Sequence, residues 1–299
     1  METKASLRAS SITANREAQR GLAIRFFRRS WLVSRLSRIY LIAISLLFAG
    51  TLGASDEGDA VGRRAVLYVA KGTFGVQGVL YTIDPATGAV LTTVGLLNDA
   101  AGHNYGMGGL KYHPITGIFY GATAHNSPTK PDYLVTVNPA TALVTPIGPF
   151  GAVLTDIAID STTGIMYGVS GYNQKFYTIN TSTGLAVQTG STGLGFQNGG
   201  GLAADRTGAL FGIDNFSFYS YDKTTGNATL IGLTGLPDLV RAADFNPSNV
   251  LYGLEGGGGI DNLHLRLLVT FNLTTGLGTL VGVIPVYDLD AMAFIPVGR

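Results

Sequence analysis

Between residues 65 and 299 the chain alternates short apolar or aromatic runs with small clusters of Asp, Asn, Thr, Pro and Gly. Five of these units are near copies: "LYTIDPATGAVLTTVG" from Leu80, "LVTVNPATALVTPIG" from Leu134, "FYTINTSTGLAVQTG" from Phe176, "FYSYDKTTGNATLIG" from Phe218 and "LVTFNLTTGLGTLVG" from Leu268. Each reads as strand, turn, strand. The Asp or Asn that opens the turn can bond the backbone two residues on, and the Gly that ends it supplies positive φ. "NPATA" has Ala142 where the other copies have Gly, so that turn is expected to be altered or slightly strained.

A second motif lies between the hairpins: "GLKYHPITGIFYG" from Gly109, "DIAIDSTTGIMYG" from Asp156, "GLAADRTGALFG" from Gly201 and "AADFNPSNVLYG" from Ala242. It adds two more strands, so one period contains four, here called A to D. The turn-opening residues Asp84, Asn138, Asn180, Asp222 and Asn272 are spaced by 54, 42, 42 and 50. That is the length of a four-stranded propeller blade. The chain ends with "DAMAFIPVGR", an A strand without its B, and the repeat region opens with "RRAVLYVAKG", a B strand without its A. Joined, they complete a blade and leave no long edge exposed. The expected fold is all-β: a five-bladed β-propeller closed by the N- and C-terminal strands. Its blades span 65–95 with 289–297, then 107–148, 153–190, 199–232 and 241–282.

Composition agrees. Charged residues are 13% of the chain and Gly is 42 of 299, which suits many short strands better than solvated helices. The net charge of +1 is unevenly distributed. Residues 1–54 hold nine Lys and Arg against two acids, +7, and residues 55–299 hold eleven against seventeen, −6. A mildly acidic folded part argues against a nucleic-acid partner.

The basic segment runs into the apolar stretch "IYLIAISLLFAGTLGA", residues 39–54, and then the polar "SDEGDA". This is the order of an export signal with cleavage after Ala54. The stretch is 16 residues long, short of the roughly 20 that span a bilayer. The expected organisation is a signal peptide with a basic leader at 1–54, a linker at 55–64 and the propeller at 65–299. The mature protein is expected in the periplasm or outside the cell, with no membrane span after cleavage. There is no Cys, which excludes disulfides, thiolate metal sites and a Cys nucleophile.

The repeat "LYTIDPATG" with "GLKYHPITGIFYG" resembles that of exported bacterial β-propellers near the YVTN and NHL types, and bacterial domains of unknown function carrying LYxIDxxTGxxxxIG repeats. The resemblance covers about residues 65–299. It implies strand A innermost and strand D outermost, and it carries no activity.

In that order the A–B and C–D turns share one face, and the longer B–C and D–A loops share the other, where binding residues are expected. Aromatic and amide side chains there suit a carbohydrate, peptide or protein ligand: Tyr105, Tyr172, Asn173, Gln197, Asn198 and Tyr287. Asp156 and Asp290, with Asp288, Asp238 and Arg241 near them, lie at the inner strand ends. The expected role is to satisfy strand-end N–H groups, with no cofactor; the alternative is that they supply oxygen ligands, and Ca2+ is the ion they would then take. His103, His125 and His264 fall in the same loops but lack the close spacing of a zinc motif. There is no GxSxG elbow and no phosphate loop. A binding or interaction module is therefore the expected function, and the alternative is a metal-assisted hydrolase, lactonase- or glycosidase-like, at the channel mouth.

Overall fold

A computed structural model describes residues 64–72, 75–195, 200–256 and 265–297. The signal segment expected at 1–54 and the linker expected at 55–64, save for Arg64, lie outside them. Blade 1 contains β1 (Ala65–Lys71), β2 (Val79–Ile83) and β3 (Val90–Leu96). Blade 2 contains β4 (Met107–Tyr112), β5 (Phe119–Thr123), β6 (Tyr133–Val137) and β7 (Val144–Pro149), and blade 3 contains β8 (Asp156–Ile159), β9 (Met166–Ser170), β10 (Lys175–Ile179) and β11 (Ala186–Ser191). Blade 4 is β12 (Gly201–Ala204), β13 (Leu210–Asp214), β14 (Ser217–Tyr221) and β15 (Ala228–Leu233); blade 5 is β16 (Val240–Phe245), β17 (Leu251–Glu255), β18 (Leu265–Phe271) and β19 (Gly278–Tyr287). The last strand, β20 (Leu289–Pro296), returns to blade 1 and pairs antiparallel with β1, Leu67 opposite Phe294 and Ala70 opposite Ala291.

Every sheet is an antiparallel meander of four strands. Strands β4, β8, β12, β16 and β20 touch one another in ring order and line the centre. The five-bladed propeller is the fold, closed by pairing of the two terminal strands. One boundary differs: the fifth blade was expected to end at residue 282, but β19 continues through "VIPVY" to Tyr287. Ile284 is fully buried opposite Arg266, and Tyr287 pairs with Leu265.

Apolar residues gather in five clusters, one in each gap between neighbouring blades. Aromatic rings from successive blades stack within these gaps. Phe176 of blade 3 lies 6.3 Å from Tyr221 of blade 4, and Phe218 of blade 4 lies 5.9 Å from Phe271 of blade 5. No single blade could bury its faces alone, so closing the ring is what completes the core.

The repeated turn explains how the blades lock at the rim. In all five copies the Asp or Asn side chain accepts the N–H two residues on, at 2.8–2.9 Å. The turn then presents the carbonyl of its Thr to the outer strand of the preceding blade, where a Gly receives it. A Cβ on Gly148, Gly190, Gly232 or Gly282 would overlap the carbonyl oxygen of Thr183, Thr225, Thr275 or Thr87 respectively. The pair made by blade 2's own turn is looser: a Cβ at Gly95 would stand 3.7 Å from the Thr141 carbonyl oxygen and 3.8 Å from the Ala142 Cβ. This is the turn where Ala replaces Gly. Ala142 adopts φ 60°, the left-handed region expected to carry strain, and the neighbouring strand stands off to admit its methyl group.

Candidate functional site

The inner strands bring three charged side chains into the centre of the ring. Lys111, on β4, is almost fully buried, and its Nζ donates to the carbonyl oxygens of Ala243 on β16 at 2.9 Å and Met292 on β20 at 3.4 Å. Asp156, at the start of β8, lies 3.8 Å from that ammonium, and Gly109 leaves the space its carboxylate occupies. Its Oδ1 accepts from the Ile157 N–H and its Oδ2 from the Leu202 N–H of β12, both at 2.8 Å. Asp244, on β16, accepts from the Phe294 N–H of β20 at 2.8 Å. One network thus ties all five inner strands together.

Two acids and one base share this interior, and the protonation of the acids reflects it. Burial pushes the Asp156 carboxyl up to about 7, against the pull of Lys111 and of its two N–H donors. Burial likewise raises Asp244, opposed by Lys111 and by backbone donors. Desolvation wins over pairing at both sites.

At the end of the ring facing the longer loops lies a second cluster. Arg266, on β18, is fully buried; its Nε donates to the Leu289 carbonyl oxygen at 2.6 Å and its Nη2 to Asp290 Oδ1 at 3.1 Å. Arg241 sits within electrostatic range of Asp290, Arg266, Asp238 and Tyr172. Burial lowers its pKa, while Asp290, Asp238 and Tyr172 work to keep it charged and Arg266 works against them. Tyr172, in the β9–β10 loop, is 55% exposed and leans on the ring of His125, 6.4 Å away, in the β5–β6 loop. His125 Nδ1 is 2.7 Å from Asp132 Oδ2. Blades 2, 3 and 5 therefore meet at this mouth.

The residues singled out in the sequence separate into distinct environments. Tyr172 and Asn173 lie in the exposed β9–β10 loop, Asn173 donating to the Tyr177 hydroxyl at 3.2 Å. Tyr287 is 52% exposed at the end of β19, with Lys71 Nζ 5.9 Å from its ring centre. Tyr105 presents no surface. It is fully buried in the gap between blades 1 and 2, and its hydroxyl donates to Asp99 Oδ2 at 2.9 Å. Burial, followed by that bond to Asp99, pushes its phenol up to about 12. Gln197, Asn198 and His264 lie outside the described residues.

Asp156 belongs to the central network and Asp290 to the arginine cluster at the mouth. Each is engaged by hydrogen bonds, and among the described residues no three His, Asp or Glu side chains gather at metal-ligand spacing. His103 is held by Asp99 on the outer surface, 3.1 Å from it, and is not brought to His125.

Lys111, Asp244 and Arg266 were not anticipated. For the first two a signal was available: Lys111 and Asp244 occupy the A-strand position that is Ala158 in blade 3 and Ala203 in blade 4. A charge replacing alanine within an apolar repeat marks a position with a private partner.

No family model matches the sequence, and no curated protein matches it. Among solved structures, a chain from the crystal structure of a nidogen/laminin complex is similar with a TM-score of 0.51 and 11% identity, over 77% of this chain and 98% of that one. A protein of unknown function from Bacteroides thetaiotaomicron is similar with a TM-score of 0.50 and 17% identity, over 74% of this chain and 56% of that one. The chain thus spans little more than half of the Bacteroides protein. At these identities the likeness is one of fold, the propeller.

Proposed function

We propose that the protein is an exported propeller that serves as a binding or interaction module, taking a glycan, peptide or protein on the face of the longer loops. The observation that carries this reading is a contrast between two sets of polar groups. The central acids are occupied: Asp156 and Asp244 receive backbone N–H groups and share Lys111, and Asp290 is bonded to Arg266. At the mouth, Tyr172 exposes half its surface beside His125 and within reach of Arg241. An aromatic plane next to charged and amide groups fits recognition better than bond cleavage, which asks for a nucleophile or general base free to react.

The test is a thermal-unfolding screen of the full chain against glycans, peptides and lactones, since a ligand of the native state raises the midpoint by mass action. A rise that is lost in Tyr172→Ala supports the loop-face site. Turnover of a lactone or glycoside would replace this reading with a hydrolase. Export is tested separately, by the mass of the protein recovered from the cell envelope: cleavage after Ala54 is the expected result.

A further inference from the structure

Between blades 3 and 4, on the side of the longer loops, is a small cleft with room for about one water-sized occupant. Blade 3 lines it with Thr155, Ser170 and Thr192, and blade 4 with Asp214 and Tyr221. The directions of the hydroxyl protons decide what it can hold. Thr155 Oγ1 donates to the Val169 carbonyl oxygen at 3.1 Å, and Thr192 Oγ1 donates to that of Gln174 at 3.3 Å. Thr192 Oγ1 also accepts the Leu194 N–H at 3.3 Å, so what remains is one lone pair there and those of Thr155, which repel an anion and attract a cation.

Ser170 strengthens the case. Its side chain is 2% exposed, yet its Oγ has no hydrogen-bond partner in the protein. A buried hydroxyl without a partner costs free energy, so its retention in a polar cleft signals an occupant. The facing wall, from blade 4, carries the Asp214 carboxyl, 8% exposed, which burial pushes up to about 8 against the N–H of Asn215. A cation beside it would restore the carboxylate at neutral pH.

We propose that this cleft binds one alkali-metal cation, held by a carboxylate oxygen of Asp214 and the hydroxyl oxygens of Ser170, Thr155 and Thr192. The donor set is all oxygen, as a hard cation requires, and one carboxylate balances one positive charge. The ion would bridge blades 3 and 4, so its binding is read as stability.

The experiment compares the thermal midpoint of the full chain at pH 8 in NaCl, KCl and choline chloride at equal ionic strength. The expected result is a midpoint higher by several degrees in NaCl or KCl than in choline, smaller in Ser170→Ala and absent in Asp214→Asn. Equal midpoints in the three salts would overturn the proposal and leave a water molecule as the occupant. A rise given by CaCl2 and by neither alkali salt would also overturn it, because the charge count would then be wrong. Ser170→Ala removes one hydroxyl and keeps the fold, so the result stands even if Asp214→Asn unfolds.

Discussion

The rim and the centre of this propeller are held by opposite means. At the rim one device is copied five times: an Asp or Asn turn delivers a threonine carbonyl against the outer strand of the preceding blade, where a glycine receives it, closely in four of the five contacts. At the centre nothing is copied. Lysine appears on β4, aspartate at different positions of β8 and β16, and only backbone groups on β12. A repeating contact can be built by duplication. A closed centre has room for one network only, and its members must be dissimilar because opposite charges and donor–acceptor pairs have to meet there.

If the centre depends on that asymmetry, removing the lysine is the most damaging single change. In Lys111→Met the fully buried Asp156 and the half-buried Asp244 lose their cation. A loss of about 3–5 kcal/mol at pH 8 is expected by urea unfolding, the usual result when a buried pair is broken from one side. The loss should shrink at pH 5, below the Asp156 pKa of about 7 and with the Asp244 carboxyl also shifted towards its neutral form, and Lys111→Met with Asp156→Asn and Asp244→Asn should recover most of it. Equal losses at both pH values would mean that Lys111 acts by packing alone.

The rim is next in size. Gly190→Ala places a methyl group into the Thr225 carbonyl of blade 4, and because the obstacle is backbone the gap must open. A loss of about 1–3 kcal/mol is expected, typical of overpacking. Gly232→Ala should match it, since the same contact recurs one blade on. Unequal losses would show that the rim contacts are not equivalent.

The pH dependence of the unmodified chain sharpens the contrast. In the folded state Asp156 and Asp214 titrate near 7 and 8, and Asp244 is raised, against about 3.9 in an unfolded chain. These groups hold extra protons when folded, so their contribution is complete below about pH 4 and is lost as pH rises through 7–8. Asp160, which opens the β8–β9 turn and is bonded to Lys223 of blade 4, behaves oppositely. Burial works to raise it, but Lys223 and Thr162 hold it at about 2, so its contribution is present above about pH 4 and lost below. The midpoint in choline chloride should therefore peak in mild acid and fall by about 5 °C or more between pH 5 and pH 8.5. A midpoint that climbs over that interval would contradict the burial of these carboxyls.

How legible each region was follows from the same contrast. The ring, its blade count and its terminal closure could be read because five copies of the Asp/Asn turn, four of them ending in "TG", and four aromatic–Gly pairs fall at blade spacing and the two incomplete ends complement each other. The reason for the glycine at the end of each D strand could not be read, since the threonine that touches it lies in the next blade. Tyr105 could not be told from Tyr172: both sit in loops, and only the packing of Asp99 and blade 2 around Tyr105 shows that one is core and the other surface. Lys111 and Asp244 were visible as departures from alanine, but their partners come from strands 132 and 50 residues away.

The smallest effect expected is at Ala142, and its smallness is informative. Left-handed φ costs an alanine about 1–2 kcal/mol relative to glycine, which alone predicts that Ala142→Gly stabilises. Two terms oppose this. The Ala142 side chain is fully buried, so the change removes a methyl group worth about 0.8 kcal/mol, and glycine costs roughly 0.5–1 kcal/mol in chain entropy. The sum lies within about 1 kcal/mol of zero by these same magnitudes. The reverse change in the next blade has no such balance. In Gly184→Ala the new methyl group meets the Gly148 carbonyl, because that outer strand has not moved away as Gly95 has. Near-neutral unfolding for Ala142→Gly together with a clear loss for Gly184→Ala would show that blade 2 absorbed its alanine by opening the gap, and not by tolerating strain. A gain above 1 kcal/mol for Ala142→Gly would show that the strain is still there.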